Sequence, residues 1–492
     1  MTGMGFQHLL WLILLGPVVC SGLCLLPRSS RGVLSGLSML VLAHAFLCAV
    51  LCLGVFRGGP VVTAYGWLQL DALSAFHLGL LALVFSISTL FAGRYFAADE
   101  LSLRRARIFG VLWLASVSAM TLVLIANHLG LMWVGVESTT LMTTFLIGLH
   151  RSRESLEATW KYLMICSVGI AIAFLGMLIF GASASRVASG GSDVMLWTTL
   201  REVSAHLDPK LTKLGFIFLV VGYGTKVGLA PMHTWLPDAH SQAPAPVSSI
   251  FSAAMLSTVL YCLMRYLPVV EAATGHVGWA NRLLCLFGAL SMVIAAAFIL
   301  FQRDVKRMLA YCSVEHMGIV VIGLGLGGLG TFAAMFHTLN HSLAKSLSFC
   351  AAGRLGQMVG THEMSRLRGI MRISTLWGTG LCLSLFALIG VVPSAIFMSE
   401  LQVVKAAIDA RATGILIAFL MAGGTVFLGI FAHAMAMVRG TPDEECNPIR
   451  ADVREKIIVL LPVLLLVLLG LWMPAPIRDA MSQAAAIVRP LP

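Results

Sequence analysis

Apolar residues run along this chain in blocks of about twenty, too long for strands and too uninterrupted for helices with a wet face. The blocks fall at 8–26, 34–56, 72–93, 108–126, 128–149, 160–182, 213–240, 245–266, 281–301, 309–327, 331–352, 374–408, 413–437 and 456–473. This pattern predicts an all-α polytopic membrane protein of about fourteen transmembrane helices. Two blocks are too long for one crossing: 213–240 holds Pro231 and Pro237, and 374–408 holds Pro393. Proline removes an amide donor and crowds the preceding turn, so both are expected to be broken helices. Interrupted segments about 160 residues apart predict two inverted repeats with ion sites at the breaks. The repeats would be five helices over 108–266 and five over 281–437. Helices one to three precede them in 1–107, and helix fourteen with a tail follows in 438–492.

Composition sharpens this picture. Apolar side chains make up 59% of the 492 residues and charged ones 11%, against roughly 25% charged in a soluble chain, which excludes a water-facing domain. The net charge of +11 comes from basic residues in short connections, such as Arg104, Arg105 and Arg107, or Arg303, Lys306 and Arg307. With the N-terminus outside, roughly twenty Lys and Arg fall inside and roughly eleven outside, Arg265 among the latter, so both termini are expected outside. No basic stripe interleaved with aromatics suggests nucleic acid as a partner. The eleven cysteines include no C-x-x-C pair, so neither a metal site nor a disulfide framework is expected, and no cofactor motif is present. The first apolar run lacks a basic leader and is expected to be retained as helix one. Residues 323–328, GLGLGG, formally match a dinucleotide fingerprint. They lie between apolar spans without a strand or a following acid, so they read as small residues for close helix approach.

An ionisable group at the bilayer centre costs at least about 2.5 kcal/mol and therefore needs a partner, water or a function. Glu137 in LMWVGVEST and Lys226 in GYGTKVGLAPMH lie near the middle of their elements. A carboxylate beside a lysine would form a coupled pair whose separation changes the lysine's proton affinity; the structural alternative is a static ion pair that glues two helices. His337, His341 and Lys345 recur at i, i+4 and i+8, which places them along one helical face. They read as a proton relay leading to a lysine, or as histidines satisfied by helix carbonyls. No third metal ligand accompanies the two histidines. Glu400 follows the Pro393 break. Glu315 and His316 in SVEHMG suggest either a hydrated funnel near the inside surface or inert interfacial groups. His233 and His240 flank the first break and suggest a gate or cap. Asp71, His77, His44 and His433 are isolated and read as satisfied core or interface residues.

Five segments together resemble the antiporter-like membrane subunits of respiratory complex I, membrane-bound hydrogenases and Mrp-type antiporters. They are WVGVE, the run from Lys226 to His240 ending in HTWLPDAH, APAPVS, RDVKRMLAYCS at 303–313, and the H-x-x-x-H-x-x-x-K helix. The resemblance spans roughly residues 70 to 440. It implies a switching pair of Glu137 and Lys226, a central Lys345, and an outlet at Glu400 to the periplasm of a bacterial inner membrane. VEHMG, the glutamate at 400 and the length are closest to the F-type membrane component of hydrogenase-4. The chain departs from many members by having no histidine or lysine over 251–264; Ser252, Ser257 and Tyr261 stand there instead.

The expected function is proton translocation as a non-catalytic subunit of a redox-driven complex, through Glu137, Lys226, His337, His341, Lys345 and Glu400. The expected partners are other membrane subunits, a peripheral redox module of hydrogenase or quinone-reducing type, protons and lipid. The alternatives are a cation/proton antiporter module of Mrp type, selected by sodium dependence without redox substrate, and a non-conducting scaffold. An intramembrane enzyme lacks a recognisable nucleophile or metal set.

Overall fold

The computed structural model describes residues 3–188, 193–275, 278–441 and 452–489, and these are overwhelmingly helical. Three helices come first: α1 (Gly3–Ser21), α2 (Ser30–Gly58) and α3 (Ala72–Ala98), with a short hairpin of Val61–Val62 and Gln69–Leu70 before α3. α4 (Leu103–Ile125), α5 (Leu129–Ile147) and α6 (Arg153–Ala184) follow, then a short α7 (Trp197–Glu202) in the long connection. α8 (Pro209–Val227) and α9 (Trp235–Gln242) are the two parts of the first broken element. α10 (Ala245–Ile250) passes through a π turn, Phe251–Met255, into α11 (Leu256–Ala273). α12 (Trp279–Ile299), α13 (Val305–Leu326) and α14 (Leu329–Val359) come next, followed by α15 (Ile370–Ile373). α16 (Thr375–Leu388) and α17 (Ala395–Asp409) form the second broken element. α18 (Thr413–Val438), α19 (Val453–Leu471) and α20 (Ala475–Ile487) complete the chain, the last two bent by 81°.

Both expected breaks are present, and local chemistry explains them. α8 ends at Gly228, whose φ of +81° is left-handed and favours glycine. The Leu229 amide closes the turn onto Gly224 O at 2.8 Å. Pro231 then has no amide to offer. The groups left free find partners: the Ala230 amide donates to Ser291 Oγ at 3.0 Å, and Trp235 Nε1 donates to Thr225 O at 2.7 Å. The second break repeats the arrangement with Gly390 at φ +69°, Val391 N on Phe386 O, and Ser394 capping α17 through the Phe397 amide at 3.4 Å. α19 packs directly on this break, where a Cβ on Gly470 would overlap Pro393 O.

Among the described residues, ten helices are long and apolar enough to cross a membrane, or eleven if α19 with α20 is one span. The shortfall from the expected fourteen falls on α8, α14 and the α16–α17 pair, which are broken or carry polar groups, and on α19 when it is not joined to α20. The glycines of GLGLGG serve close packing: a Cβ on Gly323 would lie 2.8 Å from Gly330 O, and one on Gly325 2.6 Å from Asn281 O.

Arg265 corrects the sequence reading. It was expected in an outside connection, yet it is buried within α11 and paired with Asp71, the N-cap of α3. Its Nη2 donates to Asp71 Oδ1 at 2.8 Å and to Ser74 Oγ at 2.7 Å, while its Nε reaches Tyr261 Oη at 2.8 Å. Trp197 of α7 covers the guanidinium, 4.4 Å from the ring centroid.

Candidate functional site

Lys226 occupies the last turn of α8, where the helix's carbonyl end favours a cation. It is fully buried, and all three ammonium donors point at α5: Val136 O at 2.7 Å, Thr139 Oγ1 at 2.6 Å and Thr140 Oγ1 at 2.5 Å. Glu137 lies on the same stretch of α5 but turns the other way and accepts from Ser167 Oγ of α6 at 3.1 Å. Its second oxygen is buried without a partner. Lys226 and Glu137 thus engage the same stretch of α5 but take different hydrogen-bond partners in this conformation.

The polar core around α13, α14 and α17 is denser. His337, His341 and Lys345 lie along α14 as the spacing predicts, all fully buried. His337 is bonded on both sides, to His316 of α13 at 2.7 Å and to Ser399 of α17 at 2.9 Å. Lys345 donates to Leu309 O of α13 at 2.7 Å. The π turn explains how α14 engages α10 and α11: its loosened carbonyls at Ser252 and Ala253 accept from His341 Nε2 at 3.3 Å and Ser342 Oγ at 2.5 Å. Ser252 Oγ also meets Ser313 Oγ at 2.8 Å. Ser252 therefore ties the π turn to both α13 and α14. Tyr261 belongs instead to the Asp71–Arg265 cluster.

Glu315 and His316 are both buried in the middle of α13, and His316 is bonded into the histidine line. Glu315 and Glu400 line one cavity of about 320 Å³ with Gly390, Phe397, Gly423 and Gly424. Here Gly390 leaves room for the Glu400 carboxylate, which a Cβ would meet. His233 sits in the first break with its ring 6.0 Å from Tyr311. His240 is fully buried beyond the break and faces α14, stacked on Phe349 at 5.0 Å, with neither ring nitrogen bonded.

Sequence reasoning missed the basic cluster that holds α9 in place. Asp304 caps α13 through the Arg307 amide at 2.9 Å, and Arg307 pairs with Asp238 of α9. Lys306 donates to Ser241 O at 2.9 Å and Ala243 O at 2.5 Å, satisfying the free carbonyl end of α9. The signal was present in RDVKR and LPDAH, read only as markers of resemblance.

Two broken helices, buried lysines and a histidine line within a helical bundle define a polytopic membrane protein of the antiporter-like kind. Residues 126–427 match the family described as NADH:quinone oxidoreductase/Mrp antiporter, transmembrane, and the chain belongs to that family. It is 39% identical over 370 residues, 74% of this chain and 77% of the relative, to a hydrogenase-4 component F homolog of Methylacidiphilum infernorum. It is 28% identical over 403 residues, 79% of this chain and 76% of the relative, to NADH-quinone oxidoreductase subunit N of Halorhodospira halophila. Among solved structures, a chain of an archaeal membrane-bound sulfane sulfur reductase superposes with a TM-score of 0.86 over 99% of this chain and 98% of that one, at 22% identity. A chain of the Mrp complex of Dietzia gives 0.83, over 98% and 97%, at 18% identity.

Proposed function

We propose that this chain conducts protons across a bacterial inner membrane as one subunit of a redox-driven complex of the membrane-bound hydrogenase or complex I kind. The observation that carries this reading is the unbroken hydrogen-bonded line His316–His337–Ser399, set beside Lys345 and ending near the cavity of Glu315 and Glu400. Imidazoles bonded in series can each receive a proton on one nitrogen and release one from the other. Lys226 would load at the first break, Lys345 at the centre, and Glu400 would release. His240, between the break and α14, would carry protons between the halves, with His233 at the access side. Separation of Lys226 from its α5 acceptors toward Glu137 would be the switching step. The likeness to a hydrogenase-4 component F homolog favours a hydrogenase-type redox partner, together with further membrane subunits in contact with lipid.

In this reading the α8–α9 and α16–α17 pairs, α14 and α19 also cross, which gives fourteen crossings with both termini on the periplasmic face. The two five-helix repeats then place the breaks in opposite orientation. The test is proton uptake by vesicles carrying the intact complex, driven by its electron donor. Lys345→Ala and Lys226→Ala should each lower the rate at least about tenfold, the scale of losing one essential proton-transfer group. Unchanged rates would establish a scaffold instead, and sodium-dependent proton exchange without an electron donor would select the antiporter module.

A further inference from the structure

A second set of groups lies against the histidine line. Cys312, Glu315 and His316 occupy positions i, i+3 and i+4 of α13, so a single turn brings a thiol, a carboxyl and an imidazole to one face. One ligand atom from each lies within 4.8 Å of the others. All three side chains are buried, and two of the atoms are orphaned: Glu315 Oε2 and His316 Nε2 have no hydrogen-bond partner, although His316 Nδ1 is engaged by His337. His341, whose Nδ1 is also unbonded, stands with its ring centroid 5.0 Å from that of His316. Unpartnered polar atoms in a buried site call for an occupant.

We infer that Cys312, Glu315 and His316 form a binding site for a thiophilic divalent cation of the Zn²⁺ or Cd²⁺ type, with His341 or a water completing a tetrahedron. Donor atoms around such an ion are separated by about 3.5 Å, given metal–ligand bonds of about 2.0 to 2.3 Å, so side-chain rotation of the order of 1 Å closes the set. Charge favours the same ion. A thiolate and a carboxylate cancel a divalent charge, so the loaded site is neutral, the state that burial tolerates. Binding releases the Cys312 thiol proton and the Glu315 carboxyl proton, both of which leave with the water displaced from the ion. Hard cations such as Mg²⁺ and Ca²⁺, which prefer six or more oxygens, are disfavoured by the sulfur and nitrogen donors. Glu315 also lines the cavity of about 320 Å³ shared with Glu400, which gives the ion a way in. The charged and titratable groups facing the site are Lys345 and His341 of α14, His337 one turn away, and Glu400 of α17. The lysine opposes a cation, and Glu400 offsets it.

Occupancy rests on the geometry alone; its effect on transport rests on the proton-conduction reading. Cobalt(II), a spectroscopic substitute for zinc, is titrated into the purified intact complex, and a thiolate-to-cobalt charge-transfer band is expected at one equivalent. Cys312→Ser should abolish the band while the variant still assembles into the complex and unfolds at the same temperature, which shows that it is folded. Glu315→Gln should weaken binding at least about tenfold. Absence of the band, or its persistence in Cys312→Ser, overturns the site. If the band forms at Cys312 while zinc leaves proton uptake untouched, the site stands and the assignment of the adjacent histidine line to transport fails.

Discussion

Lys226 commits three donors to three acceptors on α5, so its neighbourhood is sensitive to changes that leave charge untouched. Replacing Thr140 by Val preserves shape but removes an acceptor from a buried ammonium. We expect a stability loss of about 1 to 3 kcal/mol, measured by thermal unfolding in detergent, together with altered transport. The Asp71–Arg265 pair makes a sharper case, since both partners are buried and Arg265 is also held by Ser74 and Tyr261. Asp71→Ala strands the guanidinium and should cost about 3 to 5 kcal/mol, whereas replacing both partners with apolar residues should cost much less. Unfolding of the single and double variants decides this. At this scale the sequence was half legible. The i, i+4, i+8 spacing of His337, His341 and Lys345 fixes a shared face whatever the tertiary structure. Nothing local pairs Asp71 with Arg265, 194 residues away, and SVEHMG does not disclose that Glu315 and His316 sit at depth. Depth depends on what packs around α13, which a residue's own neighbours do not encode.

Among elements, the breaks were the most readable feature because proline and glycine act through the backbone. Gly228 has φ of +81°, and a Cβ there would also press on Leu236. Gly228→Ala should destabilise by about 1 to 3 kcal/mol and slow transport by shifting Lys226. Gly470→Val tests the second break from outside, since α19 touches it only because that position lacks a side chain. Overpacking of about 1 to 3 kcal/mol is expected, with loss of transport ahead of loss of folding. Between α14 and α15, burial, and after it the Lys306 charge, lowers the His362 imidazole from 6.5 to about 3. The folded form is therefore neutral, while the unfolded chain takes up a proton below about pH 6.5. Stability should be complete above that value and fall as acid is added toward pH 3. Unfolding curves of His362→Gln should show a shallower acid decline. The π turn was not legible, because Phe251–Met255 is as apolar as an ordinary helix and the partners of its carbonyls lie on α14, 89 residues away.

Across the whole molecule, the apolar blocks of the sequence marked every long helix, whereas the length and mean hydropathy of the folded helices leave out some of the elements richest in chemistry. The segments without a clear spanning signal include α8 and α14, which carry Lys226 and Lys345. Polarity that lowers a hydropathy average is what a conducting core contains, so the shortfall coincides with the part of the candidate site that holds the two lysines. Fourteen crossings predict that single cysteines introduced near residue 29 and near residue 474, on a background without the native thiols, label from opposite faces. Labelling from one face would demand a different number of crossings between them.

The π turn has a consequence of its own. One residue of α-helix corresponds to a rotation of about 100°, so the extra residue at 251–255 sets the azimuth of everything after it in α11. Arg265 lies ten residues beyond, aimed at Asp71, while the loosened carbonyls at 252 and 253 hold α14. Deleting a single codon there would restore a regular helix, swing Arg265 off its carboxylate and withdraw both acceptors together, so one small genetic lesion would disable two distant attachments.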